Sequence, residues 1–130
     1  MRTWLETTRQ PIGWAQALRD PALSAALHAI QERPAERWTV ATLAREASLS
    51  RAAFARRFTA LTGQPPLTYL TWWRMTIAGR LLQTTDASMN TIAGRVGYSS
   101  EYAFSKAFTR ELGVAPARYR RQQRTVADKG

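Results

Sequence analysis

Apolar residues return every three to four positions in this chain and never alternate with polar ones over the length of a strand, so the periodicity predicts an all-helical protein. The starts of the helices are marked by their first residues. Asp20 followed by Pro21 supplies a capping carboxylate and a ring already set to helical φ; Leu23, Ala26, Leu27 and Ile30 then share one face until Arg33 and Pro34 stop the run. Thr39 caps "VATLAREAS", and Ser50 caps "RAAFARRFTALT", which closes at Gly63, a residue suited to the left-handed position after a helix end. So little chain separates these two helices that they must cross steeply and cannot lie antiparallel.

After "GQPP" one long helix is expected over residues 67–83, with Leu70, Trp73, Ile77 and Leu81 on a broad apolar face, until "TTDAS" breaks it. Of Trp72 and Trp73, one is expected in the core and the other half exposed. Ser88 caps "MNTIAGRVG", Ser100 caps "EYAFSKAFTREL", Gly113 ends that helix, and Pro116 begins a short last one through "ARYRRQ". The pattern amounts to about seven helices, and the tail "TVADKG" is expected to be loose.

Residues 50–69 and 100–119 share eight identities at an offset of 50: Ser, Ala, Phe, Phe, Thr, Gly, Pro and Tyr. Upstream the offset becomes 49, matching Thr39 with Ser88, Thr42 with Thr91, Leu43 with Ile92 and Ala44 with Ala93. One residue is therefore inserted at the turn of the second copy. Two copies are too few for a solenoid, which needs about three repeats to bury a continuous core. They suit two small subdomains joined by the long helix.

Within each copy the spacing is that of a helix-turn-helix. Ala44 or Ala93 lets two helices approach, Ser48 or Gly97 follows at the turn, and Leu49 or Tyr98 plugs the corner. In the second helix of each copy, Phe54, Phe58 and Leu61, or Phe104, Phe108 and Leu112, fall on one face and should be buried. The phenylalanines are thus core, not a platform for stacking bases. The opposite faces carry Arg51, Ala52, Ala55, Arg56 and Thr59 in the first copy, and Glu101, Tyr102, Ser105, Lys106 and Thr109 in the second. Small, polar and basic side chains near a helix start fit a major groove, whereas either face alone would read as ordinary solvated surface. Repetition favours the groove: the apolar faces are kept and the outer faces vary, as expected of two copies that read different bases.

Charge supports that choice. The 130 residues carry 19 Lys and Arg against 9 Asp and Glu, a net charge of +10, which points to nucleic acid or an anionic membrane surface as the partner. The signal is broad, since many basic proteins share it. The absence of cysteine excludes disulfides, zinc ribbons and thiol nucleophiles. The single histidine, His28, reads as a helix-surface or half-buried side chain, and no cofactor or metal is implied. No apolar run reaches the ~18–20 residues of a membrane span, and "MRTWLETTRQ" lacks a signal-peptide core, so a cytoplasmic location without membrane attachment is expected.

The segment "IAGRVGYSSEYAFSKAFTRELGVAPARYR", residues 92–120, closely resembles the signature of the AraC/XylS transcriptional regulators, and "YLTWWRMTIAGRLL" is similar to their connecting helix. The resemblance runs over residues 21–120. It implies two helix-turn-helix subdomains, over residues 21–66 and 85–122, joined by a connecting helix over 67–84, with an extension or linker over 1–20 and a basic flexible tail over 123–130. It also implies sequence-specific binding of double-stranded DNA, two recognition helices entering successive major grooves of an asymmetric site, and RNA polymerase as a second partner. Carried over residue by residue, the groove-facing positions are Arg51, Ala52, Ala55 and Arg56, then Glu101, Tyr102, Ala103 and Lys106; helical periodicity places Ala103 nearer the core. Ser100 at the helix start and Arg110 as a phosphate contact complete the candidate set. Ala52 and Ala55 offer methyl groups only, leaving base readout in the first copy to Arg56.

Other members of the family carry a sensor or dimerisation domain before this region. Twenty residues are too few for one, which leaves a stand-alone, monomeric regulator or the DNA-binding part of a longer, dimeric protein, with Trp4, Leu5, Ile12 and Trp14 as linker residues facing the missing domain. Two rival classes remain in view. An architectural DNA- or RNA-binding protein would use the charge without reading sequence. An enzyme is disfavoured, because related units fused to repair alkyl transferases need a reactive cysteine.

Overall fold

A computed structural model of the chain describes residues 14–129. Among them are eight helices and no strand: α1 (Trp14–Arg19), α2 (Pro21–Glu32), α3 (Val40–Glu46), α4 (Arg51–Thr62), α5 (Pro66–Thr84), α6 (Met89–Arg95), α7 (Glu101–Leu112) and α8 (Pro116–Lys129). The all-helical expectation holds, with α1 as an addition to the seven. Local chemistry accounts for the boundaries. Asp20 accepts hydrogen bonds from the Ala22 and Leu23 amides, Thr39 and Thr42 form a reciprocal capping box, and Ser50, Ser88 and Ser100 each accept from the amide three residues on. Gly63 and Gly113 adopt left-handed φ values of 73° and 80°, and each donates its amide to the carbonyl of the equivalent threonine of its copy, Thr59 or Thr109, at 2.8 Å.

The chain divides into two compact units, one reaching Trp73 and the other starting at Arg74. In the first, Trp14, Leu23, Leu27, Ile30, Leu43, Phe54, Phe58 and Tyr69 form an almost solvent-free core. In the second, Met75, Leu82, Ile92, Val96, Phe104, Phe108 and Tyr119 do the same. Burying side chains of this size contributes about 1.5–3 kcal/mol each, so each unit has its own source of stability.

The duplication is larger than the shared sequence suggests. Leu23, Ala26, Leu27 and Ile30 of α2 correspond, at an offset of 52, to Met75, Ala78, Gly79 and Leu82 of α5, and all eight are buried. The correspondence ends on a repeated hydrogen bond: Gln31 donates to the Tyr69 hydroxyl at 2.7 Å, and Gln83 to the Tyr119 hydroxyl at 3.0 Å. The first half of α5 thus closes one unit as α8 closes the other, and its second half opens the second unit as α2 opens the first. Burial raises the pKa of both tyrosines, with the glutamine bonds acting in the opposite sense.

Four expectations need correction. Trp14, read as a linker residue facing another domain, is only 1% exposed and packs edge-on to Tyr69 and Trp72, at 4.9 and 5.2 Å between ring centroids; helix α1 turns it back into the core. Trp4, Leu5 and Ile12 lie outside the described residues. The last helix runs to Lys129 and does not end near Gln122, because Arg120 and Arg124 anchor it to the end of α5 and the loop that follows α5. Trp72 and Trp73 are both half-buried, and so are Leu61 and Leu112, because each sits at the edge of its apolar stripe.

Candidate nucleic-acid interface

Both helix pairs turn in the same way. After α3, the Leu49 amide donates to the Ala44 carbonyl at 2.9 Å and the Ser48 amide to Arg45 at 3.0 Å; after α6, Tyr98 donates to Ala93 at 2.9 Å and Gly97 to Gly94 at 3.2 Å. This double bond closes a helix only if the residue after its end is left-handed, and Ser48 (φ 57°) and Gly97 (φ 91°) are. Since Leu49 and Tyr98 still match, the inserted residue of the second copy is Ser99, between the corner and the cap of α7.

With the turns fixed, one face of α4 and α7 is committed to the core. Phe54, Phe58, Phe104 and Phe108 have no solvent exposure, which rules out a role in base stacking. On α4, Arg51, Ala52, Arg56 and Thr59 are exposed and Ala55 is half-buried. On α7, Glu101, Tyr102, Lys106, Thr109 and Arg110 are exposed, as is the capping Ser100, while Ser105 and Ala103 are half-buried. Within each unit these positions lie on one helix face, and none of them is sealed in the core. Ser100 accepts the Ala103 amide on its side-chain oxygen at 3.0 Å, which leaves its hydroxyl proton and one lone pair for another partner.

The basic side chains divide into those held within the fold and those facing outward. Arg57 lies beside Asp20, with both Nε and a terminal nitrogen 2.7 Å from the same carboxylate oxygen. Burial raises the pKa of Asp20, but the Leu23 amide, the hydrogen bond and charge of Arg57, and the Ala22 amide outweigh it and hold the carboxyl below its ordinary value. Arg120 donates to the carbonyls of Leu82, Thr85 and Ala87, and Arg124 to Asp86 and the Thr85 carbonyl. The C-terminal basic run therefore spends two arginines on its own fold, leaving Arg118 and Arg121 exposed. Arg110 pairs with the adjacent Glu111 at 3.0 Å, an exposed contact worth little. Arg74 faces Tyr98, its guanidinium carbon 5.5 Å from the ring centroid; burial works against its charge and Tyr98 offsets part of that.

Sequence reading missed a contact on α7 itself: the Lys106 ammonium sits 5.6 Å from the centroid of the Tyr102 ring. The signal was an aromatic residue and a lysine four positions apart on an exposed face. His28 is exposed, 3.4 Å from the Ser24 hydroxyl, as a helix-surface histidine. Among the described residues no cluster of His, Cys, Asp or Glu could hold a metal ion, and no helix is long and apolar enough to cross a membrane.

Comparison with known proteins agrees with this geometry. A helix-turn-helix domain family matches residues 43–122. A putative AraC-like transcription regulator of Streptomyces lividans is 48% identical over 109 residues, which cover 84% of this chain and 36% of that protein. The RCS-specific transcriptional activator RclR of Escherichia coli K12 is 37% identical over 127 residues, covering 98% of this chain and 45% of the relative. The chain thus spans about a third of the length of the first curated relatives it matches. The DNA-binding domain of AdpA, solved in complex with a target DNA, superposes with a TM-score of 0.77 at 40% identity, over 85% of this chain and 99% of that one. Regulators, not enzymes, make up this group. With its paired turns, its buried phenylalanines and these relatives, the chain belongs to the AraC-type helix-turn-helix family of transcription regulators.

Proposed function

We propose that this chain binds double-stranded DNA in a sequence-specific manner, placing α4 and α7 in successive major grooves of an unsymmetrical site, and so directs transcription by RNA polymerase. In the first groove Arg51, Ala52, Ala55, Arg56 and Thr59 face the bases and backbone, with Arg56 the main reader. In the second, Glu101, Tyr102, Ser105, Lys106 and Thr109 do so, with Ser100 and Arg110 at phosphates. Arginine and lysine reach guanine O6 and N7 in the major groove, methyl groups pack on thymine, and hydroxyls serve either strand. The proposed domain division is a first subdomain over 21–66, a connector over 67–84 and a second subdomain over 85–122.

The observation that carries this reading is the contrast within each helix: the same buried phenylalanines in both units, beside outer faces that differ at nearly every position. A surface that served only to hold polyanions would need no such difference, because phosphates are alike along the duplex. A net charge of +10 adds the sequence-independent attraction that brings protein and duplex together.

Selection of bound duplexes from a random pool at physiological salt, using the 130-residue chain as a monomer, tests the reading. The expected product is an unsymmetrical site with two preferred patches about 10 base pairs apart. Recovery of random sequences would replace it with an architectural role based on charge alone.

A further inference from the structure

The cations of the two outer faces are presented differently. On α4, Arg56 lies four residues after Ala52, whose methyl group offers no support to a long side chain. On α7 the equivalent pair is Tyr102 and Lys106, and the ammonium lies over the ring at 5.6 Å. Tyr102 is 72% exposed, far more than an aromatic side chain usually is. Nothing in the core asks for a ring at that position, because the phenylalanines already fill the buried face. A free lysine has four rotatable bonds and loses much of that freedom when it binds. A ring under the ammonium removes part of the loss beforehand, since the face of the ring attracts the charge.

We infer that Tyr102 is a positioning residue for Lys106: its ring holds the ammonium extended along α7 so that it donates to the O6 and N7 atoms of one guanine, making the second unit the more discriminating half. The inference rests on the proposed entry of α7 into the major groove. Its chemistry predicts a difference between the halves. Arg56 reaches its base from an unsupported side chain, whereas Lys106 is ordered before the encounter, so the contribution that Tyr102 makes through its ring falls on the base pair that Lys106 reads.

The test combines two measurements on the intact chain. In free protein, the side-chain CH2 protons next to the Lys106 ammonium should be shifted upfield by the ring, should stay so in Tyr102→Phe and should return to ordinary values in Tyr102→Ala. Ordinary values in the unaltered protein overturn the contact and with it the inference. On DNA, affinities for the selected site and for variants with each base pair replaced are measured for Tyr102→Phe, Tyr102→Ala, Lys106→Ala and the double variant. The expected result is that Lys106→Ala loses its preference at one guanine, that Tyr102→Ala weakens preference at the same guanine by about two- to fivefold, that Tyr102→Phe keeps it, and that the double variant discriminates no worse than Lys106→Ala. Loss at a different base pair, or an equal loss on every duplex, means that Tyr102 acts by itself and sinks the inference while leaving DNA reading intact. If Lys106→Ala changes no base preference, Lys106 is not a base reader and the inference falls, while the groove entry of α7 still stands or falls on whether the selected site shows a second preferred patch.

Discussion

At the position where α4 carries Arg57, α7 carries Ala107, and the two units fasten their outward-facing helices by opposite means. Arg57 reaches across to Asp20, the cap of α2, with two contacts of 2.7 Å; Ala107 is 4% exposed and simply packs. The connecting loops differ as much. In the first unit the Trp38 indole donates to the Arg33 carbonyl at 2.8 Å, and the Arg33 guanidinium covers that ring at 5.0 Å. In the second, Arg120 and Arg124 satisfy the carbonyls of Leu82, Thr85 and Ala87 from outside the loop. Even charge is reversed: Glu46, paired with Arg33 at 3.4 Å, stands where the second copy has an exposed Arg95. The fold requires filled cores, left-handed turn residues and satisfied carbonyls, and it accepts several chemistries for each except the filled core.

That comparison is sharpest at the phenylalanines. Phe54→Ala and Phe104→Ala should each cost about 3–5 kcal/mol, and denaturant unfolding should give similar losses, because both rings are fully buried. A loss in one unit at half the other's would break the equivalence of the two cores. Arg120→Ala should cost about 2 kcal/mol and act on the second unit alone, which hydrogen exchange would show as lost protection in α6 and α7 with the first unit unchanged. Arg56→Ala should cost about 2 kcal/mol at the base pair it reads; affinities on cognate and random duplexes that fall equally would remove the reader from the first unit.

The turn residues should respond with opposite signs. Gly97→Ala places a side chain at φ 91° and should destabilise by about 1 kcal/mol, whereas Ser48→Gly relieves a left-handed serine and should stabilise by about 0.5 kcal/mol. Thermal unfolding of the two variants compares them directly. The smallest effect is expected at Asp20. Because its folded pKa is lowered, its contribution is complete above the unfolded value, about 3.9, and is lost as pH falls through the folded value. Stability of the first unit should therefore decline below about pH 4, and Asp20→Asn should remove that decline at a cost of ~0.5 kcal/mol near neutrality. An unchanged pH profile in Asp20→Asn would assign the decline to other carboxylates.

What was legible from the letters alone follows the range of the interactions. Caps, left-handed closures and apolar stripes involve residues at most five positions apart, and the duplication multiplied each such signal by two. Asp20, Thr39, Ser50, Ser88, Ser100, Gly63 and Gly113 therefore stand at helix ends as expected. The outer faces of α4 and α7 are legible for the same reason, since they are what remains once the phenylalanines are placed. Trp14 could not be placed, because its partners, Tyr69 and Trp72, are more than fifty residues away.

Arg57, Arg120 and Arg124 look like any other basic residue in a strongly basic chain, and only the folded backbone brings Asp20 or the end of α5 within their reach. Their partners lie 33 to 39 positions away. Helical period and capping are properties of neighbouring residues, so the primary structure contains them; the division of the described basic side chains into braces and outward-facing charges depends on which carbonyl or carboxylate packing happens to bring near.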